Sequence, residues 1–240
     1  MLRIDELSGI ASRGGASRLA AVLLLTGCST VHRQPPGVAP TAATITQEHP
    51  GGDAGDPHEA ALLRQLNERW GFQEDKDGQL RVPLVDWKNY ERVRYWAIDH
   101  FVGFKYGSDY HVLNVVLIQD VPDGAPMDSK SCLQRAEKWG HPQLKSFEVK
   151  LGEHHFTKTE WRGQPIFVES VDGYLDFGLE RRRFSAAYAA YAAYPDACLV
   201  FGLAVPWRDH KELAQKVRDR WIKEGVPRLR LLTKTRPFRK

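Results

Sequence analysis

Residues 197–205 read A-C-L-V-F-G-L-A-V and carry no charged side chain. A second run, V-L-N-V-V-L-I at 112–118, is interrupted only by Asn114. Strands without a polar face have to be covered on both sides, so runs of this kind are typical of the centre of a sheet. We therefore expect two central strands with helices packed on both faces.

The flanking segments predict the other strands. Residues 93–106 alternate between apolar and polar positions and turn at Gly107 into the 112–118 run, which predicts a hairpin. Further alternating runs lie between Phe147 and Val171. Asp172-Gly173 follows them and is a turn signal. The segment 184–194 contains Ala-Ala-Tyr three times. Alanine favours a helix, but Tyr-Pro-Asp closes this segment and an apolar strand follows it, so we assign a strand.

Three segments have helical periodicity and an apolar stripe. The stripes are Leu62, Leu63, Leu66 and Trp70, ending at Gly71; Cys132, Leu133, Ala136 and Trp139, ending at Gly140; and Trp207, Leu213, Val217 and Trp221, ending at Gly225. The order is α-β-β-β-α-β-β-β-β-α, and short turns make neighbouring strands antiparallel. The sequence therefore predicts an α+β fold, in which an antiparallel sheet of about six to seven strands is covered by helices on both faces as an α/β/α sandwich.

This order of elements resembles that of the Mog1/PsbP/DcrB-like domains. The resemblance covers His58 to about Leu229 and rests on no specific motif. Some proteins of that group are bacterial lipoproteins, and most are non-catalytic accessory or binding proteins with differing partners. The resemblance therefore implies a class of role and assigns no site residue.

The N-terminus holds the most specific motif of the chain. The apolar run 19–25 follows two arginines and is shorter than the ~20 residues that span a bilayer, as in a signal peptide. It ends in Leu25-Thr26-Gly27-Cys28, which resembles the lipobox of bacterial lipoproteins. The resemblance implies cleavage between Gly27 and Cys28 and a lipid on the Cys28 thiol. Ser29, rather than an aspartate, follows the cysteine, which in such lipoproteins implies export to the outer membrane.

Composition divides the chain into four parts. Residues 1–27 form the signal peptide, 28–57 a Pro/Gly-rich tether that begins at the lipidated cysteine, 58–225 one α+β domain, and 226–240 a basic tail. A flexible tether of this length spans about 30 Å. The net charge of +4 comes from the tail, because residues 28–225 hold 25 basic against 28 acidic side chains. A mean hydropathy of -0.45 excludes a protein with many membrane spans.

The cysteines leave one pairing open. If Cys28 carries lipid, Cys132 and Cys198 remain in an oxidising periplasm. Cys132 lies on the buried stripe of its helix and Cys198 on a central strand, so the helix could bring the two thiols together. The alternatives are a disulfide and two buried free thiols.

Motifs for catalysis are absent from the sequence: there is no G-x-S-x-G, P-loop, G-x-G-x-x-G, H-E-x-x-H or C-x-x-C pattern. Glu153-His154-His155 comes nearest to a metal cluster, but on a strand only Glu153 and His155 share a face, which is too few ligands. We therefore expect no catalytic residue, no metal and no cofactor. A metal-assisted hydrolase that uses His100, His111 or His155 is the less favoured alternative.

Two groups of side chains are candidates for binding. Tyr188, Tyr191 and Tyr194 could stack on sugars or bases, or could belong to the core. Arg181, Arg182 and Arg183 could pair with phosphate or lipid headgroups, or form a solvated hairpin end.

The sequence thus favours a non-enzymatic lipoprotein that acts as an accessory or binding module. Its lipid would hold it to the outer membrane on the periplasmic side, its partner would be an unknown envelope protein or polymer, and we expect no nucleic acid. A pilot or assembly factor for an envelope machine is the alternative.

Overall fold

A computed structural model of the chain describes residues 56–75, 78–93, 101–107, 110–121, 128–138, 148–176 and 181–232. The predicted signal peptide with Gly27, the lipidation site Cys28, nearly all of the predicted tether, His100 and residues 233–240 lie outside these ranges.

The helices and strands follow the predicted order, with additions. The helices are α1 (Pro57–Asn67), α2 (Ser129–Lys138) and α3 (Lys211–Arg220). The strands are β1 (Trp70–Glu74), β2 (Leu80–Val85), β3 (Tyr90–Val93), β4 (Phe101–Tyr106), β5 (Val112–Asp120), β6 (Glu148–Trp161), β7 (Gln164–Asp176), β8 (Arg181–Tyr194), β9 (Ala197–Trp207) and β10 (Arg230–Leu231). A π-helical turn at Trp221–Gly225 and a 3-10 turn at Val226–Arg228 connect α3 to β10. Within the described ranges, no helix is long and apolar enough to cross a membrane.

The described strands form two sheets. A seven-stranded sheet has the order β3-β4-β5-β9-β8-β7-β6, and a three-stranded sheet has the order β1-β2-β10. Every pair of neighbours is antiparallel. The two apolar runs form β5 and β9, which pair near the centre of the large sheet, and the Ala-Ala-Tyr segment is strand β8. The predicted α+β class and the central strands are therefore confirmed.

Helices cover both faces of the large sheet. Tyr188 and Ala190 of β8 belong to an apolar cluster with Leu133 of α2. Residues on the opposite face of β8 pack in a larger cluster with Ala214 and Val217 of α3. Cys132 of α2 and Cys198 of β9 are joined by a disulfide, which is one of the two alternatives that the sequence left open.

The first and last helices are shorter than predicted. Trp70 is the first residue of β1 and not the end of a helix. Gly71 does not stop the helix, because it lies within β1 and the Trp87 ring packs on it so closely that a Cβ there would lie 1.8 Å from Trp87 Cδ1. Leu63 is 41% exposed instead of lying on a buried stripe. Trp207 ends β9, so the last helix begins four residues later, at Lys211.

Two predicted strand boundaries also differ. The single strand expected over 93–106 is split into β3 and β4, which pair with each other so that Val93 lies opposite Gly103. Asp172 and Gly173 do not interrupt the chain but lie inside β7, opposite Ser185 and Phe184. At Asp172-Gly173, local turn propensity is outweighed by the pairing of long antiparallel strands.

The folded domain extends beyond its predicted end at residue 225. Val226 and Leu229 are buried, and β10 pairs with β2 through Arg230 and Leu231. The alternation of apolar and basic side chains in V-P-R-L-R-L allows this segment to bury one side while Arg228 and Arg230 stay exposed. The first residues of the predicted basic tail are therefore part of the domain.

Candidate binding surface

The three tyrosines considered as ligand-stacking residues lie in the interior. Tyr188 and Tyr191 are 0% exposed and Tyr194 is 4% exposed. Tyr191 donates a 3.0 Å hydrogen bond to the Val226 carbonyl, and burial raises the pKa of its hydroxyl well above the ordinary value. None of the three rings offers a face to solvent, so the core alternative holds for them.

The three consecutive arginines begin strand β8. Arg182 lies opposite Leu175 of β7 in the sheet register, and the side chain of Arg181 lies outside the described part. Arg183 is exposed, and its guanidinium carbon lies 5.5 Å from the centre of the Trp207 ring. These residues form the end of a paired strand, in agreement with the hairpin-end alternative.

The Glu153-His154-His155 segment does not converge on one point. Glu153 and His155 are exposed, whereas His154 contacts the carboxylate of Glu169, which is 0% exposed and also accepts a hydrogen bond from Tyr188. Among the residues that the structure describes, no three His, Cys, Asp or Glu side chains are arranged to hold one metal ion.

A histidine cluster forms where α1 begins. Nδ1 of His58 lies 2.9 Å from Nδ1 of His111, and Nε2 of His210 lies 2.9 Å from the Asp56 carboxylate. The ring centres of His58 and His210 are 6.4 Å apart. Burial, and next the adjacent His111, lower the pKa of His58 from its ordinary value of 6.5, while Asp56 acts in the opposite direction. The sequence singled out only His111, because the other residues come from distant segments.

An arginine–aromatic surface lies on the three-stranded sheet and the adjoining end of α3. It consists of Trp70, Phe72, Arg81, Arg220, Arg228 and Arg230. The guanidinium carbons of Arg220 and Arg228 each lie 5.6 Å from the centre of the Trp70 ring. That of Arg230 lies 4.8 Å from the centre of the Phe72 ring, which is within the range of cation–π attraction.

Hydrogen bonds hold this surface in place. Arg220 donates to the main-chain carbonyls of Gln65 at 2.6 Å and Glu68 at 3.0 Å, so it ties α3 to the end of α1. Trp70 Nε1 donates a 2.8 Å hydrogen bond to Glu224. This bond, followed by the charges of Arg220 and Arg228, lowers the pKa of the Glu224 carboxyl below its ordinary value. The carboxylate therefore stays ionised among the arginines.

The surface has an excess of positive charge. Arg81 pairs with Glu74 at 2.7 Å, and Glu224 lies 3.6 Å from Arg220 and 3.9 Å from Arg228. Four arginines thus face two glutamates, whereas residues 58–231 as a whole hold 26 basic against 25 acidic side chains. The surface therefore stands out from the rest of the domain as a local cationic region.

Sequence reasoning did not find this surface. Its members lie at residues 70–81 and 220–230, and the pairing of β2 with β10 brings the two segments together. The available signal was the alternation of Arg228 and Arg230 with Leu229 and Leu231, which is typical of a half-buried strand. So short an alternation is hard to distinguish from the start of a basic tail.

Comparisons with known proteins give distant structural resemblances. No protein-family model matches the chain, and no curated protein matches it. One similar solved structure is the Ran-binding protein Mog1p of Saccharomyces cerevisiae, at 12% identity and a TM-score of 0.47, covering 69% of this chain and 97% of that chain. Another is the PsbP protein (CyanoP) of the cyanobacterium Synechocystis, at 11% identity and a TM-score of 0.45, covering 68% of this chain and 92% of that chain. Both belong to the group that the order of elements resembles, and they assign no partner, activity or residue.

Proposed function

We propose that this chain is a lipid-anchored lipoprotein of a bacterial cell envelope, whose folded domain acts as a non-enzymatic accessory or binding module. The observation that carries the proposal is the segment L-A-A-V-L-L-L-T-G-C at 19–28. It supplies an apolar run for the membrane, small residues before the cleavage point and a thiol that accepts lipid. Several acyl chains on Cys28 make a durable anchor, because each buried methylene contributes about 0.8 kcal/mol.

The disulfide supports export from the cytoplasm. Cys132 and Cys198 are both 0% exposed and are bonded to each other across a sequence separation of 66. Structural disulfides form and persist in oxidising compartments such as the periplasm. Each of the three cysteines then has a role, with Cys28 for the lipid and the other two for the bridge.

The arginine–aromatic surface supports a binding role. Hydrogen bonds from Trp70 and Arg220 tie it to α1 and to the turn after α3, so the surface is preorganised. It also borders α1, which directly follows the predicted tether. A domain held by a short tether would present this surface close to its membrane.

Lipidation has a direct test in a Gram-negative host. The full chain should incorporate labelled palmitate and stay with membranes through a high-salt wash, whereas Cys28→Ala should lose the label and be released by that wash. The matched control is Thr30→Ala, which leaves the cysteine and its immediate neighbours in place and should keep the label. Undiminished palmitate labelling of Cys28→Ala would refute the anchor.

The destination has its own test. Ser29→Asp introduces the residue whose absence after the lipidated cysteine implies export to the outer membrane. This variant should remain lipidated but shift to the inner membrane on a density gradient. An unshifted distribution would contradict the outer-membrane assignment while leaving lipidation in place.

A further inference from the structure

The guanidinium groups of the arginine–aromatic surface are only partly used within the domain. Arg228 donates to the Glu224 carbonyl at 2.6 Å, and its side chain is 43% exposed. The side chain of Arg230 is exposed and makes no hydrogen bond or ion pair with another described residue. Each arginine carries five N–H donors, so donors remain to bind an external anion. Arginine matches phosphate oxygens in a bidentate geometry, which favours phosphate as that anion.

Apolar side chains accompany these donors. Trp70 and Phe72 are partly exposed, and Leu232, which follows β10, is 42% exposed. Tryptophan and phenylalanine beside arginine are suited to a membrane–water interface, where the rings contact the acyl boundary and the cations meet the headgroups.

The described part of the chain begins and ends near this surface. At one end, Lys234, Arg236, Arg239 and Lys240 follow Leu232 in the sequence. At the other end, α1 has 11 residues and so separates the tether from the surface by about 16 Å. A tether that spans about 30 Å allows the lipid and the surface to meet one membrane together.

We infer that the arginine–aromatic surface docks on the anionic phospholipid headgroups of the membrane that holds the lipid anchor. The inference rests on the proposed function for the identity of that membrane. Docking would fix the orientation of the domain and leave the opposite side of the large sheet directed away from the bilayer. Phosphate groups bind the arginines, and Trp70, Phe72 and Leu232 contact the apolar boundary.

The test uses the mature chain, residues 28–240, with Cys28→Ala, so that neither a signal segment nor a lipid contributes. Binding is measured by co-sedimentation with vesicles of phosphatidylglycerol and phosphatidylcholine, and with vesicles of phosphatidylcholine alone. We expect binding to the first only, weakened by added salt. Arg228→Gln with Arg230→Gln should weaken it about fivefold per arginine. Arg208→Gln with Lys216→Gln, which removes two exposed charges elsewhere, should have a much smaller effect.

Several results would overturn the docking inference. One is equal binding to both vesicle types, and another is undiminished binding by the Arg228/Arg230 double variant with an unchanged thermal midpoint. A third comes from a chain that ends at Leu232: if it loses all binding although both arginines are present, the tail alone is responsible. Binding to lipopolysaccharide micelles but not to phosphatidylglycerol would likewise exclude phospholipid. None of these results depends on lipidation, so docking and anchoring can fail separately.

Discussion

The indole Nε1 of Trp70 donates a 2.8 Å hydrogen bond to the carboxylate of Glu224, 154 residues further along the chain. The bond joins the strand that follows α1 to the π-helical turn that follows α3. Gly225 makes this approach possible, because a Cβ at that position would lie 2.8 Å from Cη2 of Trp70. The arginine–aromatic surface is therefore built on a contact between the two ends of the domain.

Trp70→Phe should destabilise the domain in a pH-dependent manner. The pKa of Glu224 is held below its ordinary value of 4.5, first by the hydrogen bond from Trp70. A lowered folded-state pKa contributes stability above the unfolded value, and this is lost as the pH falls through the folded value. We expect a loss of about 1 kcal/mol at neutral pH that shrinks below pH 4.5. Urea unfolding followed by far-UV circular dichroism measures it.

Trp207→Phe is the matched control for that experiment. The Trp207 Nε1 is buried and has no hydrogen-bond partner in the described part of the chain. Its replacement should therefore change stability by the same amount at acidic and neutral pH. A Trp70→Phe effect that is equally independent of pH would contradict the role of Glu224.

Acidification should weaken the start of the domain through the histidine cluster. The pKa of His58 is lowered by burial, by His111 and by His210, and Asp56 opposes the shift. Because the folded state takes up the proton less readily, stability is complete above pH 6.5 and falls as the pH drops toward the folded value. His58→Asn should flatten the pH profile of the thermal midpoint on the acidic side. His155→Asn, at an exposed position, should leave the profile unchanged, and equal slopes in both variants would contradict the prediction.

Loss of the disulfide should reduce stability strongly. The bridge closes a sequence separation of 66, for which the chain-entropy treatment gives about 4 kcal/mol. The double variant Cys132→Ala with Cys198→Ala should lose about that amount in urea, measured in the Cys28→Ala background. Thiol titration of the denatured, unreduced single variant Cys28→Ala should find no free thiol. Two titratable thiols would show that the bridge does not form.

The carboxylate of Asp172 should stabilise the contact between the large sheet and α3. Its carboxylate accepts hydrogen bonds from Ser185 at 2.6 Å, Gln215 at 2.5 Å and Arg218 at 2.9 Å. Arg218 is buried, so Asp172→Ala leaves its charge poorly compensated and should cost about 3 kcal/mol. Asp219→Ala removes the more exposed partner of the same arginine and should cost less than about 1 kcal/mol. Similar losses in both variants would contradict the role of Asp172.

Most of the large sheet could be predicted because its signals are local. The runs at 112–118 and 197–205 reveal strands covered on both faces, and the Ala-Ala-Tyr repeat is closed by a turn and followed by one of these strands. The prediction that Gly71 ends the first helix was wrong, because glycine serves two structural purposes that the sequence does not distinguish. It can end a helix, and it can admit the ring of Trp87 against a strand.

The sites were less predictable because they are made from distant segments. Arg81 and Arg230 are neighbours only through the pairing of β2 with β10, and no periodicity links positions so far apart. The same holds for His58, His111 and His210, which come from a helix start and two loops. The pattern of Tyr188, Tyr191 and Tyr194 was visible, but whether a tyrosine is exposed depends on what packs over its strand.

The pairing of β2 with β10 also has a consequence for biogenesis. A strand formed by residues 80–85 has to wait for residues 230–231 before its sheet is complete. Until residues 224–231 are available, that sheet lacks its third strand and Trp70 lacks its contact with Glu224. Because synthesis proceeds from the N-terminus, closure of the three-stranded sheet is a late step in the folding of the newly made chain.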